Sequence, residues 1–406
     1  MCAFRFLREI LRRRDGNVAV LATLAMPLVV GGAAFGVDSL YWYVRDLELQ
    51  AAADAGAYAA AIEMRAGHTE AAMVAASGRE AGENGFDPAR GTLTLNAPPA
   101  TGGYRRPQAV EVVLVEEQDR FFSGLFDDST VRAEARSVAL YETTSDACVI
   151  ALDPGAASAV SMRGSAGLTL RGCSVMANSI SNTALNLGGS SRLETPCVIS
   201  GGGVSVSSSL VLTECAQPLT RAPPVADPYR FVPEPMPSGS CLNGNAAVLQ
   251  PGRYCNGLNL RDTVHLDPGV YYLEGGDFRA NARAIVTGSG VTIFLGDGVG
   301  TQFNGTATIN LSAPTEGPYA GLLFFGDREG ERQSHVFNGG AGSSLTGALY
   351  LPAHDVEYAG NFTGADGCLQ VVARTVSWTG KATIAADCSA RGMVTLPGQQ
   401  LIRIVE

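Results

Sequence analysis

The stretch VAVLATLAMPLVVGGAAFGV occupies residues 18–37 and contains no charged side chain. At about 1.5 Å per helical residue, a run of this length spans roughly 30 Å, the thickness of a bilayer's hydrocarbon core. A cleaved secretory signal is the alternative, but the run is long for one and no clean Ala-x-Ala site ends it. The stretch therefore predicts a transmembrane helix whose partner is membrane lipid.

Charge is distributed unequally on the two sides of this stretch. Acidic side chains dominate after it, whereas the tail 1–16 is basic and contains Arg5, Arg8, Arg12, Arg13 and Arg14. Segments rich in arginine and lysine stay on the cytoplasmic side of a membrane. We therefore expect a basic cytoplasmic tail at 1–16, a single membrane pass and a large body outside the cytoplasm.

The overall composition narrows the class of protein. The chain has 406 residues, 49 glycines and a formal net charge of −10. This length accommodates two or three domains, and the glycine content predicts many turns. Because no basic patch occurs beyond the tail, nucleic acid is not an expected partner.

The cysteines are concentrated in the later part of the chain. All of them except Cys2 lie beyond residue 147, and an even set in an exported region predicts disulfides. Sequential pairing would close short loops, but connectivity cannot be deduced from the sequence, so other pairings stay open. No C-x-x-C pair occurs and no histidine lies at ligand spacing from a cysteine pair, so a zinc site is not expected. No metal or other cofactor is predicted. The disulfide candidates are Cys148, Cys173, Cys197, Cys215, Cys241, Cys255, Cys368 and Cys388.

The helical pattern continues beyond the membrane stretch. Apolar residues recur at spacings of three and four, which is typical of one helix face. One transmembrane and extended helix is therefore predicted over 17–66, followed by a second helix at Glu70–Glu83. The aromatic residues Tyr41, Trp42 and Tyr43 fall where a membrane interface belt is expected. The recurring apolar residues are Leu40, Val44, Leu47, Ala51, Ala55, Tyr58 and Ile62.

The order of short motifs along this helix resembles the N-terminal segment of TadE/TadG-like proteins of the Tad (Flp) pilus assembly system. That segment has a Gly-Asn before the span, a Val-Asp after it and an L-Q-x-A-A-D-A helix. The resemblance implies an assembly or anchoring role at a bacterial cytoplasmic membrane, with pilins or other assembly proteins as partners. The matching residues are Gly16, Asn17, Val37, Asp38, Gln50, Ala52 and Asp54.

One departure from pilins concerns processing. Pilins of the type IV class carry an acidic residue at the fifth position after the cleaved glycine. If Gly16 were that glycine, the fifth residue is Leu21. The chain therefore resembles the unprocessed, membrane-retained TadG-like branch rather than a cleaved filament subunit.

Residues 67–145 are predicted to form a small α/β unit. The runs Thr92–Asn96, Val110–Val115 and Val131–Tyr141 are typical of strands, and FFSGLF at 121–126 predicts a short helical turn. A generic hydrophobic subdomain is one interpretation. The resemblance implies a pilin-like arrangement, in which a small sheet lies against the long helix.

The rest of the chain is mostly β, which makes the predicted fold class α+β. Short apolar runs alternate with Gly/Ser/Asn turns in blocks at 146–216 and 241–406, with a proline-rich linker at 217–240. A right-handed parallel β-helix is favoured over a β-sandwich because the strands are short and do not alternate cleanly. A local repeat, LQPGRY at 249–254 and LDPGVY at 266–271, agrees with stacked turns.

Two further classes of function stay open at this stage. A membrane-tethered β-helix enzyme acting on envelope polysaccharide needs converging carboxylates. A surface adhesin needs exposed aromatic rings, yet Trp378 is the only tryptophan of the exported body. A non-catalytic assembly component that forms homo-oligomers through its alanine-rich helix explains more of the sequence. The residues weighed for catalysis are Asp327, Arg328, Glu329, His354, Asp355 and Glu357.

Overall fold

The chain folds into two compact units. One comprises Met1–Tyr141 with Ile402–Glu406 and is called the helical unit here; the other comprises Glu142–Leu401 and is called the solenoid unit. The basic tail predicted at 1–16 lies outside the described residues except for Gly16. The computed structural model describes residues 16–125, 129–338, 340, 342–359, 368–385, 388 and 391–406.

The helical unit begins with the long helix predicted from the sequence. Helix α1 spans Gly16–Ala66 and α2 spans Glu70–Glu83, and both helices are confirmed. The side chain of Thr69 caps α2 by accepting the N–H of Ala72 at 3.4 Å. Gly85 follows the helix with a φ of +101°, a conformation that glycine adopts without strain.

A small antiparallel sheet completes this unit. Strand β1 is Gly91–Asn96, β2 is Ala109–Gln118 and β3 is Val131–Ala151, and β2 pairs with both others. The 3₁₀ turn Ser123–Leu125 falls within the segment predicted as a short helical turn. The small α/β unit expected after the long helix is therefore present.

Parallel strands make up the solenoid unit, and the predicted β-helix is confirmed as a β-solenoid of about 10 turns. Strands β12, β13 and β14 of one turn pair in register with β15, β16 and β17 of the next. The earlier strands are β4 Val160–Met162, β5 Gly167–Arg171, β6 Ser174–Ala177, β7 Leu185–Leu187, β8 Arg192–Thr195, β9 Val198–Ser200, β10 Val204–Val206 and β11 Ser209–Leu212. The later strands are β12 Val248–Leu249, β13 Gly252–Tyr254, β14 Leu258–Leu260, β15 Thr263–Leu266, β16 Gly269–Leu273, β17 Phe278–Ala280, β18 Ile285–Ser289, β19 Val291–Leu295, β20 Thr301–Phe303, β21 Thr308–Ser312, β22 Leu322–Gly326, β23 Ser334–Phe337, β24 Ser344–Tyr358, β25 Leu369–Trp378, β26 Lys381–Ala385 and β27 Leu396–Ile404.

The turns are not stacked in chain order. Strand β25 pairs in parallel with β24 on one side and with β3 and β4 on the other. The last turns of the 241–406 block therefore continue directly into the turns of the 146–216 block. The two blocks share one hydrophobic core, although the proline-rich segment separates them in the sequence.

The local repeat marks the same corner of two successive turns. Each tyrosine hydroxyl donates to the carbonyl four residues earlier, Tyr254 to Gln250 at 2.6 Å and Tyr271 to Asp267 at 2.8 Å. The two rings stack with centroids 5.8 Å apart. The glycine of the second copy, Gly269, has a φ of +140°. Its conformation and the close approach of Pro251 favour a residue without Cβ.

The proline-rich segment 217–240 lies against the outer face of the solenoid's sheet. The amide of Asn178 both donates to the carbonyl of Val225 at 2.8 Å and accepts its N–H at 3.0 Å. The Tyr229 hydroxyl donates to Gln370 at 2.8 Å, and the Tyr350 hydroxyl donates to Asp227 at 2.6 Å. Because proline lacks an N–H, this segment is held by such contacts rather than by a strand ladder.

The structure pairs the eight cysteines beyond residue 147 in sequence order. The disulfides are Cys148–Cys173, Cys197–Cys215, Cys241–Cys255 and Cys368–Cys388. All four lie in the solenoid unit, where each closes a short loop.

Candidate functional site

Within the described residues, one helix has the length and apolar composition to cross a membrane, and it is α1. Its large side chains in the predicted span are exposed, including Leu24, Leu28 and Phe35. Such exposure is unfavourable in water and suits a lipid environment. The span is therefore the first part of the candidate site.

Asp38 of the Val-Asp mark lies directly after this span and is fully buried. Its carboxylate accepts the backbone N–H of Phe122 at 3.1 Å and that of Ser123 at 2.6 Å. These bonds hold the 3₁₀ turn Ser123–Leu125 against the helix, since a carboxylate satisfies N–H groups that a short turn leaves unpaired. The sequence singled out Asp38 as a family mark but did not identify its acceptor role.

Two of the three aromatic residues predicted at the interface contact the same segment. The indole N–H of Trp42 donates to the carbonyl of Asp119 at 3.1 Å. The rings of Tyr41 and Phe121 meet edge to face at 4.7 Å. Tyr43 is exposed. Residues 38–42 of α1 therefore form a continuous contact with residues 119–123.

A charged pair follows about one turn further along α1. The guanidinium of Arg45 donates to the buried carboxylate of Glu116 at 2.9 Å and to Glu48 at 2.6 Å. Burial alone lowers the pKa of Arg45, but the two carboxylates outweigh it and raise the pKa. Gln50 of the L-Q-A-A-A-D-A mark donates to Asp54 at 2.9 Å and to the carbonyl of Arg136 at 3.1 Å. These bonds fix the rotation of α1 on the sheet.

One face of α1 is buried within its own unit and, apart from Leu49, consists of small residues. A Cβ placed on Gly56 would lie 2.9 Å from the Ser77 hydroxyl and 3.3 Å from its carbonyl, so the backbones of α1 and α2 approach closely there. The motif residue Ala52 is part of this face. The buried members are Leu49, Ala52, Ala53, Ala57, Ala60 and Ala61.

The opposite face of α1 carries the apolar residues that recur at spacings of three and four. Because helical neighbours are about 100° apart, these residues lie on the side away from Gly56 and Ala60. We call this exposed set the outward stripe; its large side chains are Leu40, Val44, Leu47, Tyr58 and Ile62. The stripe is uncovered in the helical unit.

Four of the six candidate catalytic residues make structural contacts through their side chains: Asp327, Arg328, His354 and Asp355. The Asp327 carboxylate accepts the N–H groups of Glu329 and Gly330, both at 2.7 Å, as in a tight turn. His354 is buried, accepts the N–H of Gln333 at 3.1 Å and contacts the carbonyl of Asp327 at 2.9 Å. Burial lowers the pKa of His354, which keeps its ring neutral.

Of the remaining candidates, Asp355 pairs with cations and Arg328 holds the proline-rich segment. Asp355 bonds to Arg374 and to Arg332. Arg328 donates to the carbonyls of Tyr229 and Val232, both at 2.8 Å. These contacts occupy the carboxylate of Asp355 and the guanidinium of Arg328.

The sequence of α1 matches a known protein family. Residues 16–66 match the family described as "Putative Flp pilus-assembly TadE/G-like", which confirms the resemblance drawn from the sequence for this segment. No curated protein and no solved structure matches the chain significantly. The matched residues coincide with α1, which begins at Gly16 and ends at Ala66.

Proposed function

We propose that this chain is a membrane-anchored, non-catalytic assembly component of a Tad (Flp) pilus or a related secretion system. It is held in the bacterial cytoplasmic membrane by the span, with its body outside the cytoplasm. The family match over residues 16–66 supports the assembly role. The observation that carries the proposal is that α1 buries one face in its own unit and leaves an apolar face, the outward stripe, exposed.

The outward stripe has the geometry of a helix–helix contact. Leu40, Ala51 and Ile62 are spaced by eleven residues, and the intervening apolar positions repeat with the same period. An 11-residue repeat corresponds to about 3.67 residues per turn, so the stripe stays on one side of a nearly straight helix. A second helix that runs alongside α1 therefore meets apolar side chains along this length.

Small residues extend this capacity into the span. Gly32 and Gly36 form a Gly-x-x-x-Gly pair, and nothing lies within 4 Å of a Cβ added at either one. In membranes, small residues let helix backbones approach closely and pack. The partners we propose are the helices of pilins, of other assembly proteins or of a second copy of this chain.

The contacts of four candidate catalytic residues support the non-catalytic part of the proposal. Asp327, Arg328, His354 and Asp355 each have a structural partner. Trp378 is fully buried, so it does not offer an exposed ring for stacking on a sugar. No observation in the described residues specifically favours the enzyme or the adhesin.

Site-specific photo-crosslinking in pilus-forming cells tests the proposal. We expect a crosslinker at Leu47 or Tyr58 to capture pilins or inner-membrane assembly proteins, identified by mass spectrometry. A crosslinker at Val74, an exposed residue of α2, is the matched control and is expected to capture little. Capture of cell-wall material alone from the stripe would refute the assembly role and favour the enzyme.

Substitutions separate the stripe from the solenoid's polar turns. Leu47→Glu places a charge on the stripe and is expected to abolish piliation, whereas Val74→Glu is expected to leave it intact. Asp327→Ala and Glu329→Ala are expected to leave piliation unchanged. Loss of a polysaccharide hydrolase activity in the last two variants, with normal pili, would show that the chain is an enzyme.

A further inference from the structure

The segment 119–125 exposes more apolar surface than a water-facing loop of this size warrants. Phe121 is 58% exposed, Phe122 is 48% exposed and Leu125 is 84% exposed. Clustered apolar exposure marks an interaction surface, whereas single exposed apolar residues are ordinary. The family match at residues 16–66 does not include this segment.

The contacts of this segment with α1 show its direction. Asp119 contacts Trp42, Phe121 contacts Tyr41, and the N–H of Ser123 bonds to Asp38. As the segment's numbering rises, its partners on α1 move back toward the span. Leu125 therefore lies near the level of Asp38 or closer still to the span.

The charged pairs near this segment lie farther from the span than these contacts do. The pair Arg45–Glu116 is seven residues beyond Asp38, which is about 10 Å along the helix axis. The exposed carboxylate of Asp119 pairs with Arg90 at 2.9 Å. The guanidinium of Arg120 lies over the Trp42 ring at 5.5 Å, and both residue types are favoured at membrane interfaces. The charged side chains of α1 thus begin at Asp38, next to the span, and continue away from it.

We propose that the 119–125 segment lies in the lipid bilayer's outer interface, with Phe122 and Leu125 in contact with lipid. The inference rests on the membrane anchoring proposed above, because the span sets the depth of Asp38. The partner is the lipid surface, since the segment is tied to the first residue beyond the membrane span.

The role of Asp38 follows from this placement. A backbone N–H group that enters an apolar environment without a partner is costly. The Asp38 carboxylate accepts the N–H groups of Phe122 and Ser123, so those donors are satisfied before the segment meets lipid. Asp38 is therefore a positioning residue that holds the apolar segment at the membrane surface.

Spin labels on the full chain in phosphatidylcholine nanodiscs test this placement. Cys2→Ser removes the one cysteine outside the disulfides, and single labels are then introduced by Leu125→Cys, Leu28→Cys and Val74→Cys. Accessibility to oxygen, which partitions into lipid, is compared with accessibility to a water-soluble nickel chelate. We expect the oxygen-to-nickel ratio at Leu125 to exceed that at Val74 at least about threefold and to approach that at Leu28.

The controls separate failure of this inference from failure of the anchoring. A label at Leu28 that is accessible to nickel means that the span is not in lipid, and the proposed anchoring fails. A lipid-exposed label at Leu28 with a nickel-accessible label at Leu125 overturns the interfacial segment alone. A Leu125 label shielded from both reagents also overturns it, because protein rather than lipid then covers the segment.

Asp38→Asn tests the positioning role on the same labelled chain. We expect the nickel accessibility of the Leu125 label to rise about twofold or more, because an amide is a weaker acceptor for two N–H groups than a carboxylate. Asp46→Asn, at an exposed position of α1, is the matched control and is expected to change nothing. Unchanged helicity by circular dichroism ensures that both variants are folded. Equal accessibility in the two variants would overturn the role of Asp38.

Discussion

The helical unit and the solenoid unit bury their cores in different ways. The packed face of α1 is made mainly of alanine and glycine, whereas the solenoid interior contains contacting aromatic rings such as Phe278, Phe303 and Phe324. Small residues bury little area but let backbones approach, while large rings supply much of a core's stability. Polar contacts such as Arg45–Glu116 therefore orient the helix on its sheet, whereas packed aromatic rings fill much of the solenoid's core.

The largest expected effect comes from removing a ring inside the solenoid. Phe324 contacts Phe337 with centroids 5.2 Å apart and is fully buried. Phe324→Ala is expected to lower the free energy of unfolding of the solenoid unit by about 3–5 kcal/mol, because it leaves a cavity. Denaturant unfolding of the full chain in detergent measures this change. Phe231→Ala, at an 81% exposed ring, is the control, and equal losses would contradict the role of core volume.

Removing one disulfide should destabilise the solenoid unit and leave the stability of the helical unit unchanged. All four disulfides lie in the solenoid unit, and the sequence has no cysteine between Cys2 and Cys148. Replacing both Cys148 and Cys173 by serine is expected to destabilise the solenoid unit by about 2–4 kcal/mol, because the unfolded chain regains conformational freedom. Calorimetry of the full chain should show a lowered solenoid transition and an unchanged helical one. A shift of both transitions would show that the units unfold together.

Substitutions at two glycines should change the stability of the helical unit in opposite directions, because the helices approach closely at only one of them. Gly56→Leu forces a side chain against Ser77 and is expected to destabilise the helical unit by about 1–3 kcal/mol. Gly78→Ala lies in α2 with nothing within 4 Å of the added Cβ and is expected to stabilise by about 0.4–1 kcal/mol. Thermal unfolding followed by circular dichroism distinguishes them. Equal shifts would mean that close packing at Gly56 is unimportant.

Mild acid should affect the solenoid before the helical unit. His335 is fully buried, and burial together with the neighbouring His354 lowers its pKa to about 3. In the unfolded chain this histidine is protonated as pH falls through about 6.5, whereas in the folded chain it stays neutral. The free energy of unfolding therefore falls as pH drops below that value. The expected loss is about 1–2 kcal/mol at pH 5. His335→Phe should remove this dependence, and an unchanged pH profile in that variant would contradict the assignment.

Stronger acid should then destabilise the helical unit. Burial raises the pKa of Glu111, but hydrogen bonds from Thr101, Asn96 and Arg136 outweigh it and lower the pKa to about 2. Its stabilising contribution is complete above the carboxyl's ordinary pKa of about 4.5 and is lost as pH falls toward 2. Glu111→Gln should flatten the unfolding profile of the helical unit in this lower window. A loss that already begins at pH 6 in this unit would point to another group.

Local pattern predicted much of this molecule correctly. The helix expected at 17–66 is found at Gly16–Ala66, and the second is found at Glu70–Glu83, because helix periodicity, caps and glycine stops act within a few residues. The parallel solenoid was also predicted, because its turn residues recur in the sequence. The outward stripe was visible as a set of positions, although its exposure was not.

Contacts between distant residues could not be derived in the same way. Asp38 and Ser123 are 85 residues apart, and no local signal announces that a carboxylate will accept that N–H. Apolar spacing likewise cannot distinguish the buried face of α1 from the exposed one, since both faces contain apolar residues. A pair of phenylalanines beside Ser123 and Gly124 was the only available signal for the interfacial segment.

The sequence by itself determined the membrane span, the long helix, the strand-rich body and the cysteines available for disulfides. Each depends on composition or on a period that neighbouring residues specify. The tertiary structure alone decided that β25 stacks on β3 and β4, which joins the two β blocks into one solenoid. It also decided which face of α1 is covered. The physical reason is that burial depends on surfaces that meet only after the chain has folded, and residues far apart in sequence contribute those surfaces.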